Sequence, residues 1–340
     1  MEKPLIGLDV RCGRRISVGM RTSILEVAAR LPQVAPEFAY VRYERGENLG
    51  LTDQFAIPLR MRGDRVDVAH YMAHYVPAFA GGAFVFTIHD LIHLRFPQYF
   101  KPHMPAYYAT VIRRAARKAA RIITSDERTI PDLVHYLGAD PAKIRAIPLA
   151  PRERFFEPVA PHRGERPYLL YVGNHREHKD LPTLFAAWSA LPASYAVDLY
   201  LTGPDDFAGE LERRSTPARR AVALGDVSDE QLAAYYAGAA ALVHPALLEG
   251  FGLPFVEAMA AGTAVIATSS SIPRPLIDVS LLFEPRDADA LRAQIARVLD
   301  DEAFRLGLIE RGRNVVRGLT WDRTARATAD VYREVLEDPR

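Results

Sequence analysis

Glu249 and Glu257 bracket the stretch EGFGLPFVE, with two glycines, one proline and otherwise only apolar side chains between them. A carboxylate can accept two neighbouring hydroxyls of a sugar ring. Gly250 and Gly252 let backbone N–H groups approach a ligand closely, and a helix start offers unpaired N–H groups and partial positive charge that suit a phosphate. The stretch can therefore hold one sugar at each glutamate with a diphosphate between them. Read more plainly, it is a strand–turn–helix with two surface glutamates, and a glycine-rich turn alone is a weak signal. Lys179, after YLLYVG, brings an ammonium able to neutralise a phosphate as its ester bond breaks. His89 closes the run FVFTI. His89 and His93 are four apart, as a zinc pair on a helix would be. Here the first histidine ends a strand, the glutamate of HExxH is missing, and a third ligand such as His103 would have to come from elsewhere. No metal is expected.

Short apolar runs that alternate with helical patterns position these residues. PLIGLDV, FAYVRY, VDVAHYM, AFVFTIHD, RIITSD and KIRAIPLAP read as one strand series. YLLYVG, VDLYLTG, AVALGDV, AALVHPA, AVIATSSS and SLLFEP read as a second. Strand–helix alternation implies parallel sheets covered on both faces, so the expected class is α/β with two doubly wound, Rossmann-like domains. In such sheets ligands bind beyond the carboxyl ends of the strands. Glu249 follows AALVHPA, and LPFVEAMAAG reads as the next helix, capped by Gly262. The boundaries read as a first domain over 1–150, a proline- and charge-rich linker over 151–166, a second domain over 167–318 and a last helical segment over 319–340.

Composition narrows the function classes. The 340 residues are 49% hydrophobic and carry a net charge of +1, so nothing calls for a nucleic-acid partner. The single cysteine, Cys12, excludes an internal disulfide framework and fits a reducing cytoplasm. The N-terminal MEKPLIGLDV runs straight into a strand pattern rather than a leader. No apolar run approaches the ~20 residues of a membrane span. The basic run IRRAARKAARI allows peripheral contact with the inner membrane. Its plainer reading is a solvated face, since its alanines offer little bulk for insertion.

HPALLEGFGLPFVEAMAAGTAVIAT resembles the signature of the large family of retaining glycosyltransferases with a GT-B fold and paired glutamates with seven residues between them. The resemblance extends through GLDVRCGRRISVGMRTSILEVAARL, FVFTIHDLIHLRFP, YVGNHREHKDLPTLFAAW and WDRTARATADVYREVL, nearly the whole chain. It implies that Glu257 holds the nucleotide ribose and Glu249 the donor sugar. It gives donor contacts to the backbone of Phe251, Gly252 and Leu253, to Gly19 and to the neighbourhood of Val227. It implies that Lys179 meets the β-phosphate and that His89 orients sugar or acceptor. Where an arginine often precedes that lysine by five, this chain has Asn174, and His178 stands directly before the lysine. Arg176 is the candidate substitute in the phosphate clamp. Ser17 stands where the first loop commonly has a glycine. The resemblance makes the first domain the acceptor side, and sends the last helix back to it through Trp321, Ala325, Thr328, Ala329 and Tyr332. The implied partners are a UDP- or GDP-linked sugar and a hydroxyl acceptor, a glycan or lipid-linked glycan, with no further cofactor. Two competing readings are a GT-B epimerase or phosphorylase, and a nucleotide- or carbohydrate-binding protein without transfer activity.

Overall fold

The computed structural model describes residues 2–338, apart from 14, 15, 48, 49, 51, 101, 102, 205, 208 and the side chain of 103. Arg14 and Arg15 of the first loop, the metal-ligand candidate His103 and Asp205 of LTGPD therefore lie outside it. The chain divides into two units: Met1–Leu149 with Thr320–Arg340, and Ala150–Leu319.

In the first unit, LIGLD, AYVRY, VAHY, FVFT, RIIT and IRA form β1 (Leu5–Asp9), β2 (Ala39–Tyr43), β3 (Val68–Tyr71), β4 (Phe84–Thr87), β5 (Arg121–Thr124) and β6 (Ile144–Ala146). The strands pair in parallel in the order β2-β1-β3-β4-β5-β6. All side chains of β3 and β4 are buried, as expected of central strands covered by helices on both faces. Ser17, standing where a glycine was expected, caps the Val18–Val34 helix, its hydroxyl accepting from the Met20 N–H at 3.4 Å.

The last helix, Trp321–Glu337, packs against Val18–Val34 and against β3 and β5. Its stripe of Trp321, Ala325, Thr328, Ala329 and Tyr332 is buried. The Tyr332 hydroxyl meets His70 Nδ1 on β3 at 2.6 Å, and Thr324 donates to the Pro148 carbonyl at 2.8 Å. Glu334 bridges Arg121 and Arg145 at 2.9 and 2.7 Å. In the basic helix Arg113–Lys118, Ala115 and Ala116 are buried while Arg113, Arg114, Arg117 and Lys118 face solvent. Among the described residues no helix is long and apolar enough to cross a membrane.

The second unit repeats the plan with β7 (Tyr168–Tyr171), β8 (Asp198–Thr202), β9 (Ala221–Gly225), β10 (Ala241–His244), β11 (Val265–Thr268) and β12 (Leu281–Phe283), all parallel, in the order β12-β11-β10-β7-β8-β9. From β7 the chain winds outward through β8 and β9, then returns to the other side of β7 and winds outward again through β10, β11 and β12. β7 and β10 therefore flank the switch point, where the loops leaving adjacent strands diverge and open a crevice.

The segment 151–166 differs from a bare linker. Glu153–Phe156 forms a helical turn, and Phe155 is buried edge-on against Tyr236 with ring centroids 5.7 Å apart. His162 packs on Tyr235 with ring centroids 4.6 Å apart. Isolated anchors of this kind leave no periodicity in a sequence, which is why only proline and charge showed.

Candidate active site

The loops that leave β7 and β10 carry the key charges. After β7, a helical turn at Glu177–Lys179 ends on Asp180, which has φ 51° and opens the Leu181–Ser189 helix. The His178 carbonyl accepts from the Leu247 N–H at 2.8 Å, which ties this loop to the one after β10. Lys179 is buried, and its Nζ donates to Glu249 Oε1. The same oxygen accepts from His244 Nε2 at 2.6 Å. His244 ends β10, wholly buried. Its ring stacks on Tyr171 at 5.7 Å and meets the edge of Phe255 at 4.9 Å. Burial alone would raise the Glu249 pKa, but Lys179 and His244 outweigh it and hold the carboxyl well below its ordinary range.

Gly252 starts the Leu253–Ala261 helix at φ 80°, in the left-handed region. A Cβ there would stand 2.3 Å from the Phe255 ring, so both the dihedral and the space require glycine. No side chain caps this helix, and Phe251 and Leu253 bury their side chains. The backbone at the turn thus carries the donor groups while the side chains pack.

Glu257, one turn into the helix, is buried. Arg152 Nη2 donates to its Oε1 at 3.2 Å, and the Tyr236 hydroxyl stands 3.5 Å from its Oε2. Arg152 also reaches Asp229 at 2.5 Å. Burial pushes the Glu257 carboxyl up to about 7 in spite of Arg152. Asp229 opens the Asp229–Gly238 helix, and half-buried Val227 lies in the loop just before it. The arginine therefore links Glu257 to the turn that carries Val227.

The structure thus joins Lys179 to Glu249, and sets Glu257 in a separate group with Arg152 and Asp229. Asn174 turns onto its own loop: its carbonyl accepts from the Tyr171 hydroxyl at 2.5 Å and its Oδ1 from the Arg176 N–H at 3.3 Å. Arg176 is exposed and His178 buried. Arg152 and His244 went unread in the sequence, the first hidden in apparent linker and the second inside the apolar strand run AALVHPA. The one signal for His244 is its position, at a strand end five residues before Glu249.

In the first unit His89 lies two residues past the end of β4, not at it, because the ladder stops at Thr87. The Ser23 hydroxyl donates to the Met20 carbonyl at 2.9 Å, so its oxygen can only accept from His89 Nε2–H, 3.2 Å away. Burial lowers the His89 pKa to about 4, leaving a neutral ring. His89 lines a pocket with Ser23, His70, Thr87, Thr124 and Leu149. Gly19 sits in the first turn of the Val18–Val34 helix. His93 stacks on Phe100 at 4.2 Å and meets the Tyr108 hydroxyl at 3.3 Å. Among the described residues no three His, Cys, Asp or Glu side chains gather as metal ligands.

Residues 153–315 match the family model described as Glycosyl transferases group 1, and residues 20–150 the one described as Glycosyltransferase Family 4. The chain is 27% identical over 265 residues to the O-antigen chain mannosyltransferase B of Escherichia coli, over 73% of this chain and 70% of that one. It aligns with sucrose-phosphate synthase of Thermosynechococcus elongatus at TM-score 0.79 and 20% identity, over 98% of this chain and 100% of that one. It aligns with Anabaena HepE, solved in complex with UDP-glucose, at TM-score 0.72 and 15% identity, over 98% and 100%. Two parallel sheets in two units, and family models that between them take in most of both, make this chain a glycosyltransferase of the GT-B fold.

Proposed function

We propose that the chain transfers a hexosyl group from a UDP- or GDP-linked sugar to a hydroxyl of a glycan or lipid-linked glycan, with retention of configuration and without a divalent metal. The meeting of Lys179 with Glu249 at the switch point carries this reading. A diphosphate laid on the backbone of Phe251, Gly252 and Leu253 draws the ammonium to its β-phosphate. Glu249 is then left to accept hydroxyls of the transferred sugar. Glu257 takes the ribose and the loop at Val227 the base, with Asn174 shaping the loop after β7. The bond from the anomeric carbon to the phosphate oxygen breaks, the acceptor oxygen bonds to that carbon, and the acceptor proton passes to the departing phosphate. Lys179 stabilises the charge that develops there, a role in which losing one preorganised group costs about 10²-fold or more in turnover. His89, with Nε2 spent on Ser23 and its ring neutral, orients rather than takes a proton; Gly19 keeps the donor-side role of the first loop. The O-antigen mannosyltransferase likeness favours a polysaccharide acceptor, and with it work in the cytoplasm or at the inner face of a membrane.

The test is NMR of the first-formed product from an α-linked donor, UDP-glucose and GDP-mannose tried in parallel, with and without a chelator. An α-linked product formed in the presence of the chelator is expected. A β-linked product, or activity lost to the chelator and restored by manganese, overturns the mechanism. Donor binding without turnover or hydrolysis makes the protein a binder, and donor epimerisation makes it an epimerase.

A further inference from the structure

The Glu249 carboxylate takes two donors on one oxygen, Lys179 and His244. When a diphosphate draws Lys179 away, only His244 still holds it. We infer that His244 is a positioning residue that stays a neutral Nε2–H donor and keeps the Glu249 carboxylate aimed while Lys179 serves the phosphate. The inference rests on the reading that Lys179 and Glu249 divide phosphate and sugar between them.

The geometry carries both halves. His244 is fixed between the Tyr171 and Phe255 rings and is wholly buried, so the imidazole has one orientation to offer. Its Nε2 lies 2.6 Å from Oε1, and a carboxylate oxygen can only accept, so Nε2 bears the proton. Its Nδ1 is buried with no hydrogen-bond partner among the described residues. A proton added there would make a buried cationic N–H with nothing to accept it, a far larger cost than an idle lone pair. The titratable groups facing the ring are Glu249, Lys179 and Tyr171. The Tyr171 hydroxyl is turned away to the Asn174 carbonyl and burial keeps it protonated. Burial and Lys179 lower the proton affinity of the ring, and Glu249 only partly restores it. A histidine against a glutamate is ordinarily read as an ion pair; here the free edge of the ring has no acceptor, and that decides against it.

Two measurements on the full chain test this. In the first, ¹⁵N and ¹³C shifts of the His244 ring are followed from pH 5.5 to 8.5, with Glu249→Gln as the reference. The wild type is expected to hold a single neutral Nε2–H form throughout, and the variant to lose that tautomer preference. An imidazolium signal in the range overturns the inference. In the second, His244→Leu and His244→Gln are compared in turnover or hydrolysis of UDP-glucose and GDP-mannose, and in binding of UDP and GDP alone. His244→Leu is expected to lower kcat about 10-fold or more, the scale of one hydrogen bond to a charged group, and to change nucleotide Kd less than about 2-fold. His244→Gln, which keeps a donor near Nε2, restores most of kcat. Leu turnover equal to wild type, or equal losses in kcat and nucleotide affinity, overturns the positioning role. Wild-type chain that turns over neither donor counts against the proposed function, while the shift titration still decides the state of His244.

Discussion

Replacing Glu257 by glutamine separates two opposed forces on one carboxyl. Burial favours the neutral acid, whereas Arg152, 3.2 Å away, favours the anion. Burial wins: the group titrates near 7 in the folded chain, against 4.5 for a free glutamate. Between those values the native state keeps a proton that the unfolded state has lost, so this group's contribution to stability falls as pH rises and levels off above 7. At 1.36 kcal/mol per pH unit the loss comes to about 3 kcal/mol by pH 8. Glutamine mimics the protonated acid in shape and charge and does not titrate, and Arg152 keeps Asp229 as its partner. The stability of Glu257→Gln relative to wild type is therefore expected to climb by about 3 kcal/mol between pH 4.5 and 8, almost all of it below pH 7. Urea unfolding of the two proteins at half-unit pH steps measures it. Every other group is common to both, so the difference isolates Glu257. A flat difference, or a wild type that gains on the variant as pH rises, would refute the reasoning and show that the arginine outweighs burial.

The Lys179–Glu249 pair is expected to show a coupling of about 1–3 kcal/mol in a double-mutant cycle of Lys179→Met and Glu249→Gln, read by thermal or urea unfolding at pH 7. Because the Glu249 carboxyl is depressed, its contribution is complete above pH 4.5 and fades as pH falls below it; additive single mutants at pH 7 would deny the pair. Gly252→Ala should cost about 2 kcal/mol or more, since φ is 80° and the new Cβ collides with Phe255, and Gly63→Ala, with open space around it, serves as the control in the same melts. Tyr332→Phe should cost about 1–3 kcal/mol by leaving the buried Nδ1 of His70 unpartnered, and an unchanged midpoint in urea would mean that this hydrogen bond does not help hold the last helix.

What the sequence disclosed follows from which forces are periodic. Runs such as LIGLD, FVFT and YLLY announce buried parallel strands by hydrophobicity alone, and glycines at 252 and 262 mark both ends of a helix because each takes a positive φ. Glu249 and Glu257 were visible as lone charges beside such runs, and Lys179 as the lysine of the charged loop after YLLYVG. Arg152, His244 and Asp229 were not: His244, though only five residues before Glu249, reads as part of an apolar run, and Arg152 and Asp229 act through contacts distant in sequence, Arg152 reaching Asp229 across 77 residues and Glu257 across 105. Nothing local distinguishes such an arginine from the solvated ones around it. The same blindness produced the linker reading of 151–166, where Phe155 and His162 are isolated anchors, and placed His89 on a strand that ends at Thr87.

The two glutamates of the opening stretch differ in a way their spacing does not show. Glu249 is held ionised by a lysine and a histidine on the adjoining loop and strand, so its charge stabilises the unliganded chain. Glu257 is buried past what one shared arginine can offset, so its charge burdens the same state. A polyol that donates two hydroxyls to Glu257 supplies the hydrogen bonds the protein withholds, and the carboxylate is then satisfied without the cost of reorganising its surroundings. A phosphate that takes Lys179 removes a partner from Glu249 and must give back at least that much through the ammonium. Ribose binding should therefore release strain at one glutamate while phosphate binding spends a favourable contact at the other. An asymmetry of this kind favours ligands that carry both groups on one molecule, as a nucleoside diphosphate sugar does, over either group alone.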